Sequence, residues 1–439
     1  MWPYFYFAQT GRITFDLPHH CPARFAYTHR MDPAPPLDLP PALRRRLNLP
    51  LLVLYGVGIT IGAGIYTLIG AVAGHAGRFA PWSFALAGLA MAFTVGSYAE
   101  LSTRIPVSAG EAAFVRAAFH SRLASTLTGL LTIVIGVVSS ATVVLGAAGY
   151  IGEFVDLPQP AVVVVVLVAL GAVAAWGILE SVLLASLFTL IEMGGLLIII
   201  VAGVHAGVPA VDVLTTPPPF DAAVLSGIGY ASLLAFFAFI GFEDLANVVE
   251  EAKVPHRDIP RAMVLTLVIS TVLYLAVAAI AVAAVPPAEL AASPAPLSLV
   301  FRAVAGISPA TISAIAIVAT LNTILAQLAM AARVVYGMAR QGDLPRLAGH
   351  VHPKTATPLV ATALIVGLTL VLALLVPFER LAEGTSLATL AVFALVNLSL
   401  LRLRHRGHVT HGPHVRVPLW VPALGFVTCL AMMAAAALP

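Results

Sequence analysis

Charge is scarce in this chain. Asp, Glu, Lys and Arg make up 10% of its 439 residues, against about 25% in soluble globular proteins. Hydrophobic residues reach 60%, and mean hydropathy is +0.99. A soluble domain of this length has too little interior to hide that much apolar surface, so the composition places the chain in the bilayer. Cysteine is nearly absent: Cys21 and Cys429 lie at opposite ends and give no metal or redox spacing. Long polar stretches are missing too, so no soluble domain is inserted. No P-loop, zinc-protease helix or nucleophile elbow occurs, and neither an enzyme, a cofactor nor a nucleic-acid partner is expected.

The opening residues differ from the rest. Residues 1–45 are rich in Pro, aromatics and His, with no apolar run long enough for a signal peptide or a span. They read as a disordered cytoplasmic tail. Met31 opens a plausible short tail by itself, so the residues before it read as a mis-assigned start or an extension. The His19-His20-Cys21 cluster on such a tail does not make a metal site.

What the chain has in quantity is apolar runs near the ~20 residues that cross a bilayer. They fall at 50–73, 81–103, 124–149, 160–179, 183–205, 222–242, 261–285, 303–338, 358–377, 384–401 and 418–438. Turn and polar signals separate them, among them Pro158-Gln159-Pro160, Pro217-Pro218-Pro219 and Pro286-Pro287. Basic residues then give orientation. With the N-terminus inside, the outer loops keep only Arg78, Arg302 and Arg380 of the 23 Lys and Arg. A multi-pass cell-membrane protein with a cytoplasmic N-terminus and about eleven spans is expected.

Within the first run, Tyr55 to Gly70 reads YGVGITIGAGIYTLIG. Five glycines interrupt it and no charge occurs. In a membrane such a stretch either lets a second helix approach closely, as the Gly58-xxx-Gly62 spacing allows, or unwinds beside a substrate cavity. A second glycine-interrupted segment tips the balance toward unwinding. Gly227 to Glu243 reads GIGYASLLAFFAFIGFE and is the sixth run. If the chain is two repeats of five spans, the first and sixth correspond. Halves with an odd number of spans insert in opposite orientations. Discontinuous helices at matched positions of two halves point to a transporter site.

These residues resemble the amino acid–polyamine–organocation permeases. Ile61-Gly62-Ala63-Gly64-Ile65-Tyr66 is similar to the break in that family's first span. Tyr98-Ala99-Glu100-Leu101 through Pro106 to Glu111 resembles the loop after its second. Phe236 to Glu243, running on to Glu250-Glu251-Ala252-Lys253 and Pro255 to Pro260, resembles the sixth span and its exit. Arg333 to Pro345 resembles the exit of the eighth. The resemblance implies an all-α polytopic carrier with a five-plus-five inverted repeat, holding a small amino acid or amine at mid-membrane. Residues 46–205 would form the first repeat and 206–405 the second, with 406–439 a loop and an extra span.

The resemblance also implies site residues. Gly62, Ala63 and Gly64, with Thr60 beside them, would meet the carboxylate. The carbonyls of Phe237, Ala238 and Ile240 would meet the ammonium, with Phe236 or Phe237 as a lid. The physics agrees, because half-helix N-termini suit anions and half-helix C-termini suit cations. Polar Asn322 and Gln327 in the eighth run line the site or bond between helices.

Ionisable groups inside spans are rare enough to be read as functional. Glu192 lies deep in the fifth run, where some proton-coupled relatives carry a lysine, and is a candidate proton carrier. Glu243 follows the sixth-run break as a candidate gate, although Asp244 and Glu250 beside it suggest a wet cytoplasmic end. His405, His408, His411 and His414 recur every third residue, but Gly407, Gly412 and Pro413 interrupt any continuous helix. They read as a cationic loop beside anionic lipid, not a metal site. The function expected is a permease, proton-coupled or exchanging. A sensor of the same fold is the alternative from another class.

Overall fold

The structure is a computed structural model. It describes residues 47–62, 64–106, 110–176, 182–352, 355, 357–407 and 413–436. The tail at 1–45, Ala63, His408 and His411 lie outside the described residues.

The first run becomes two helices, α1 (Leu49–Ile61) and α2 (Gly64–Ala76). Asn48 caps the first, its Oδ1 accepting from the Leu51 amide at 3.2 Å. Gly77, at φ +57°, ends the second and leads to α3 (Ala80–Arg104). The short α4 (Gly110–Phe119) is followed by α5 (Arg122–Ile151), capped by Ser121. Then come α6 (Gln159–Trp176), α7 (Val182–His205) and the short α8 (Ala210–Thr215).

The second half opens with α9 (Ala222–Phe237), whose first amides bond Asp221 Oδ1. It stops at a break before the one-turn α10 (Asp244–Asn247) and the long α11 (Pro255–Ala284). The helices α12 (Pro287–Ala292) and α13 (Pro296–Ala305) are short, and α14 (Ala310–Gln341), α15 (Leu359–Leu375), α16 (Phe378–His405) and α17 (Trp420–Ala436) complete the chain. The eighth run is corrected here. Residues 303–305 belong to α13, which Gly306 ends in the left-handed region at φ +65°, so the long helix starts at Ala310.

This is an all-α polytopic membrane protein. Among the described residues, seven helical stretches are long and apolar enough to cross a bilayer. One is the Gly64–Arg104 stretch, which Gly77 divides. Large apolar side chains such as Leu89, Val165, Trp176, Val272 and Leu375 stand exposed on the outside, as a lipid-facing surface requires. The interior is apolar as well, with large buried side chains such as Phe84, Tyr98 and Phe393, and buried Ser, Thr, Glu and Asn side chains stand among them.

Long-range packing joins the elements in pairs. α1 lies against α7 and α11, α3 against α9 and α11, and α9 against α16. α5 packs on α14, α15 and α16, while α14 also meets α6 and α7. Close approach needs glycine at particular points. A Cβ on Gly58 would run into the Thr189 side chain of α7, and one on Gly56 into Thr266 of α11. The glycines therefore divide their work: Gly56 and Gly58 admit neighbouring helices, and Gly62 and Gly64 flank the break.

Candidate functional site

α1 ends because Gly62 turns away, at φ 17° and ψ −121°, while its amide still bonds the Gly58 carbonyl at 3.0 Å. α2 restarts two residues later. The last carbonyls of α1 and the first amides of α2 lack partners within their own helices. The two ends carry opposite partial charges, about half a unit each, at adjacent points of one chain.

The second break has its own device. After Phe237 the chain makes tight turns, with Ala238, Phe239 and Ile240 amides each bonding three residues back. Gly241 then takes φ +129°, which side-chain-bearing residues rarely adopt. Its amide donates to Glu243 Oε2 at 2.8 Å. Glu243 thus holds the break with its carboxylate.

The two breaks face each other. A Cβ on Gly64 would lie 2.5 Å from the Ala238 Cα, and one on Gly241 would lie 3.0 Å from the Ile59 backbone. Gly62 backs onto the Thr323 hydroxyl of α14. Buried tyrosines pin the arrangement to the rest of the fold. The Tyr274 hydroxyl of α11 lies 2.8 Å from the Thr60 carbonyl and 2.7 Å from the Ala238 carbonyl. Tyr66 donates to the Glu192 backbone carbonyl at 2.7 Å, and Tyr150 donates to the Tyr66 carbonyl at 2.6 Å.

Of the residues singled out in sequence, Thr60, Gly62, Gly64 and Ala238 are brought together here. Phe236 and Phe237 are buried, and Phe236 packs edge-to-face on Phe393 of α16 with centroids 5.9 Å apart. Ile240 is half-buried. Glu192 is fully buried on α7 and accepts from the Asn322 amide nitrogen at 3.4 Å. Gln327 is drawn elsewhere, its Oε1 accepting from Ser140 of α5 at 3.5 Å.

The wet end expected beyond Glu243 is corrected. Glu250 is exposed, but Asp244 is buried and Glu243 is half-buried. Both sit against Glu111 of α4, a loop helix, whose Oε1 accepts from the Tyr98 hydroxyl at 3.0 Å. Burial first, and the nearby Glu111 charge second, push the Asp244 carboxyl up to about 7; burial also raises Glu111. Asp244 is steadied by the Asn247 amide at 3.1 Å.

Sequence reasoning missed Tyr66, Tyr150, Tyr274 and Thr323. A phenol within an apolar run was the available signal for Tyr274, in Leu265 to Val277.

A polytopic helical protein with two helix breaks that face each other has a secondary-transporter-like fold. Residues 47–439 match the amino acid permease family, and the chain belongs to it. It is 30% identical over 400 residues to the branched-chain amino acid permease BcaP of Bacillus subtilis, covering 83% of this chain and 82% of the relative. Identity is 30% over 427 residues to the methylthioribose transporter of the same organism, covering 89% and 88%. It is 31% over 393 residues to the vacuolar cationic amino acid transporter 4 of Arabidopsis thaliana, covering 84% and 64%.

Proposed function

We propose that the protein is a secondary active carrier that moves an amino acid or related amine across the membrane by alternating access. The observation that carries this reading is the facing pair of breaks, at Gly62–Gly64 and Ala238–Gly241. α2 amides beside Gly64 take the substrate carboxylate, and carbonyls at Phe237, Ala238 and Ile240 take its ammonium. Relatives named for branched-chain amino acids, cationic amino acids and methylthioribose support a small polar solute and leave its side chain open.

The core is two inverted repeats of five spans, 46–205 and 206–405, followed by one further span. Support comes from the packing pairs. Exchanging α1 with α9, α3 with α11, α5 with α14, α6 with α15 and α7 with α16 maps the contacts onto one another. The α1–α7 contact becomes α9–α16, α3–α9 becomes α11–α1, and α5–α15 becomes α14–α6. The N-terminus is cytoplasmic, on the distribution of Lys and Arg; reporter fusions at Arg116 and Lys253 should report the cytoplasm.

Glu192 carries the coupling proton, supported by its burial beside the first break. Obligate exchange of one amine for another is the second reading, favoured by the largely backbone chemistry of the site. Proteoliposomes separate the two. Uptake of labelled leucine or arginine driven by an inward proton gradient supports coupling. Uptake that needs unlabelled amino acid inside supports exchange, and no flux of any member of an amino acid panel contradicts the carrier.

A further inference from the structure

Tyr274 is fully buried on α11, its ring held edge-to-face against Phe239 at 5.0 Å and tilted against Phe84 at 5.7 Å. Its hydroxyl has one proton and two carbonyls within bonding distance, Thr60 at 2.8 Å and Ala238 at 2.7 Å. Thr60 belongs to the last turn of α1, where carbonyls run out of helical partners. Ala238 is the first residue past α9. These residues stand 178 positions apart in sequence, by their numbers, and one oxygen atom joins them.

The proton inventory has a consequence. A phenol donates one hydrogen bond, and each carbonyl accepts two. When the Tyr274 proton points at Thr60, the Ala238 oxygen faces a phenol oxygen with no hydrogen between them. When it points at Ala238, Thr60 is left in that position. A low-dielectric interior makes such a deficit expensive. One further N–H donor at Ala238 would complete the set, with the phenol proton settled on Thr60.

We propose that Tyr274 is a positioning residue that ties the two helix breaks to each other and holds the Ala238 carbonyl ready for an amine donor. The first half of this stands on the geometry alone; the second rests on the reading that substrate ammonium meets Ala238. Tyr274 touches backbone, so it transmits geometry between the breaks and takes no part in recognising a side chain. A ligand N–H at Ala238 would free the phenol to bind Thr60 fully, so occupation at the second break tightens the first.

The test is Tyr274→Phe, which keeps the ring contacts to Phe84 and Phe239. Amide hydrogen exchange is read on peptides spanning 58–66 and 236–244 in the purified full-length protein, without ligand. Exchange should rise about tenfold in both segments, the factor expected for one buried hydrogen bond, with α6 unchanged. Exchange that is unchanged in either segment overturns the tie. With leucine or arginine as the probe, whichever the wild type transports, KM should rise about tenfold while the maximal rate per folded protein changes little. A lowered maximal rate at constant KM overturns the readiness of Ala238. If the wild type transports no amino acid, the carrier reading fails and the exchange measurement still decides the tie. Should the variant not reach the membrane, solid-state NMR of the wild type reads the phenol proton: slow exchange with water supports the shared bond, and fast exchange overturns it.

Discussion

Tyr66 of α2 donates its phenol proton to the backbone carbonyl of Glu192 on α7, at 2.7 Å. That bond sets the Glu192 residue beside the second half of the first broken helix, where its carboxylate also receives the Asn322 amide. An acid in this place feels any displacement of α2 relative to α7. If it carries a proton between the two sides, substrate and proton alter each other's binding by one shared factor. Glu192→Gln mimics the protonated acid. Binding is expected to survive, net uptake to lose its pH dependence, and exchange to suffer less than uptake. A pH profile of uptake identical to that of the wild type would make Glu192 structural.

Glu100 of α3 is fully buried between two arginines. Arg104 reaches its Oε1 at 2.6 Å and Arg404 of α16 grips both oxygens, while the Val417 amide donates to Oε2 at 2.8 Å. The arginine side chains are 8% and 7% exposed. Removing the shared acid strands two buried cations, so Glu100→Ala should destabilise the protein by about 3–5 kcal/mol. Glu100→Ala combined with Arg404→Met should recover part of that loss. Thermal unfolding in detergent reads both; a double variant no better than the single one would show that the pairing is not the source.

Asp244 and Glu111 give stability a pH dependence of a definite sign. Both carboxyls are raised above their unfolded values, Asp244 to about 7. In the window between the unfolded and folded values the native state binds more protons than the unfolded chain. The Asp244 contribution to stability must therefore fall as pH rises from about 4 to about 7, and the Glu111 contribution falls with rising pH in the same sense. Asp244 faces Glu111 and Glu243, with Asn247 as its hydrogen-bond donor. Asp244→Asn should flatten the decline. Unfolding curves of the two proteins between pH 5 and 8 are the measurement, and parallel slopes would contradict this cause.

What the sequence disclosed was local. The glycines of Tyr55 to Gly70 left close packing and unwinding both open, and it was the second interrupted segment that pointed to a break at Gly62–Gly64. Gly241 before Glu243 announced the second. The partners of those breaks were not legible, since they arise from tertiary approach. Tyr274 meets Thr60 across 214 positions, and Arg404 meets Glu100 across 304. Asp244 was misplaced for a physical reason: a carboxylate is ordinarily wet, and the packing of α1, α4 and α11 around α10 takes the water away. The start of α14 was misread because Ala303, Val304 and Ala305 of α13 join the apolar run across Gly306, although Ser308-Pro309 marks the turn before the long helix.

The central claim is that the facing breaks bind substrate, and Gly64 tests it most directly. A side chain there meets the Ala238 backbone, which cannot move aside as a flexible side chain would. Overpacking at this point costs about 1–3 kcal/mol locally, leaving the remaining helices their own packing. The measurement is uptake and binding of labelled amino acid by Gly64→Leu in proteoliposomes, beside the wild type at equal amounts of folded protein. The account predicts a correctly inserted, folded variant whose binding falls by at least about tenfold and whose uptake is lost. Binding and uptake at the wild-type level would contradict it.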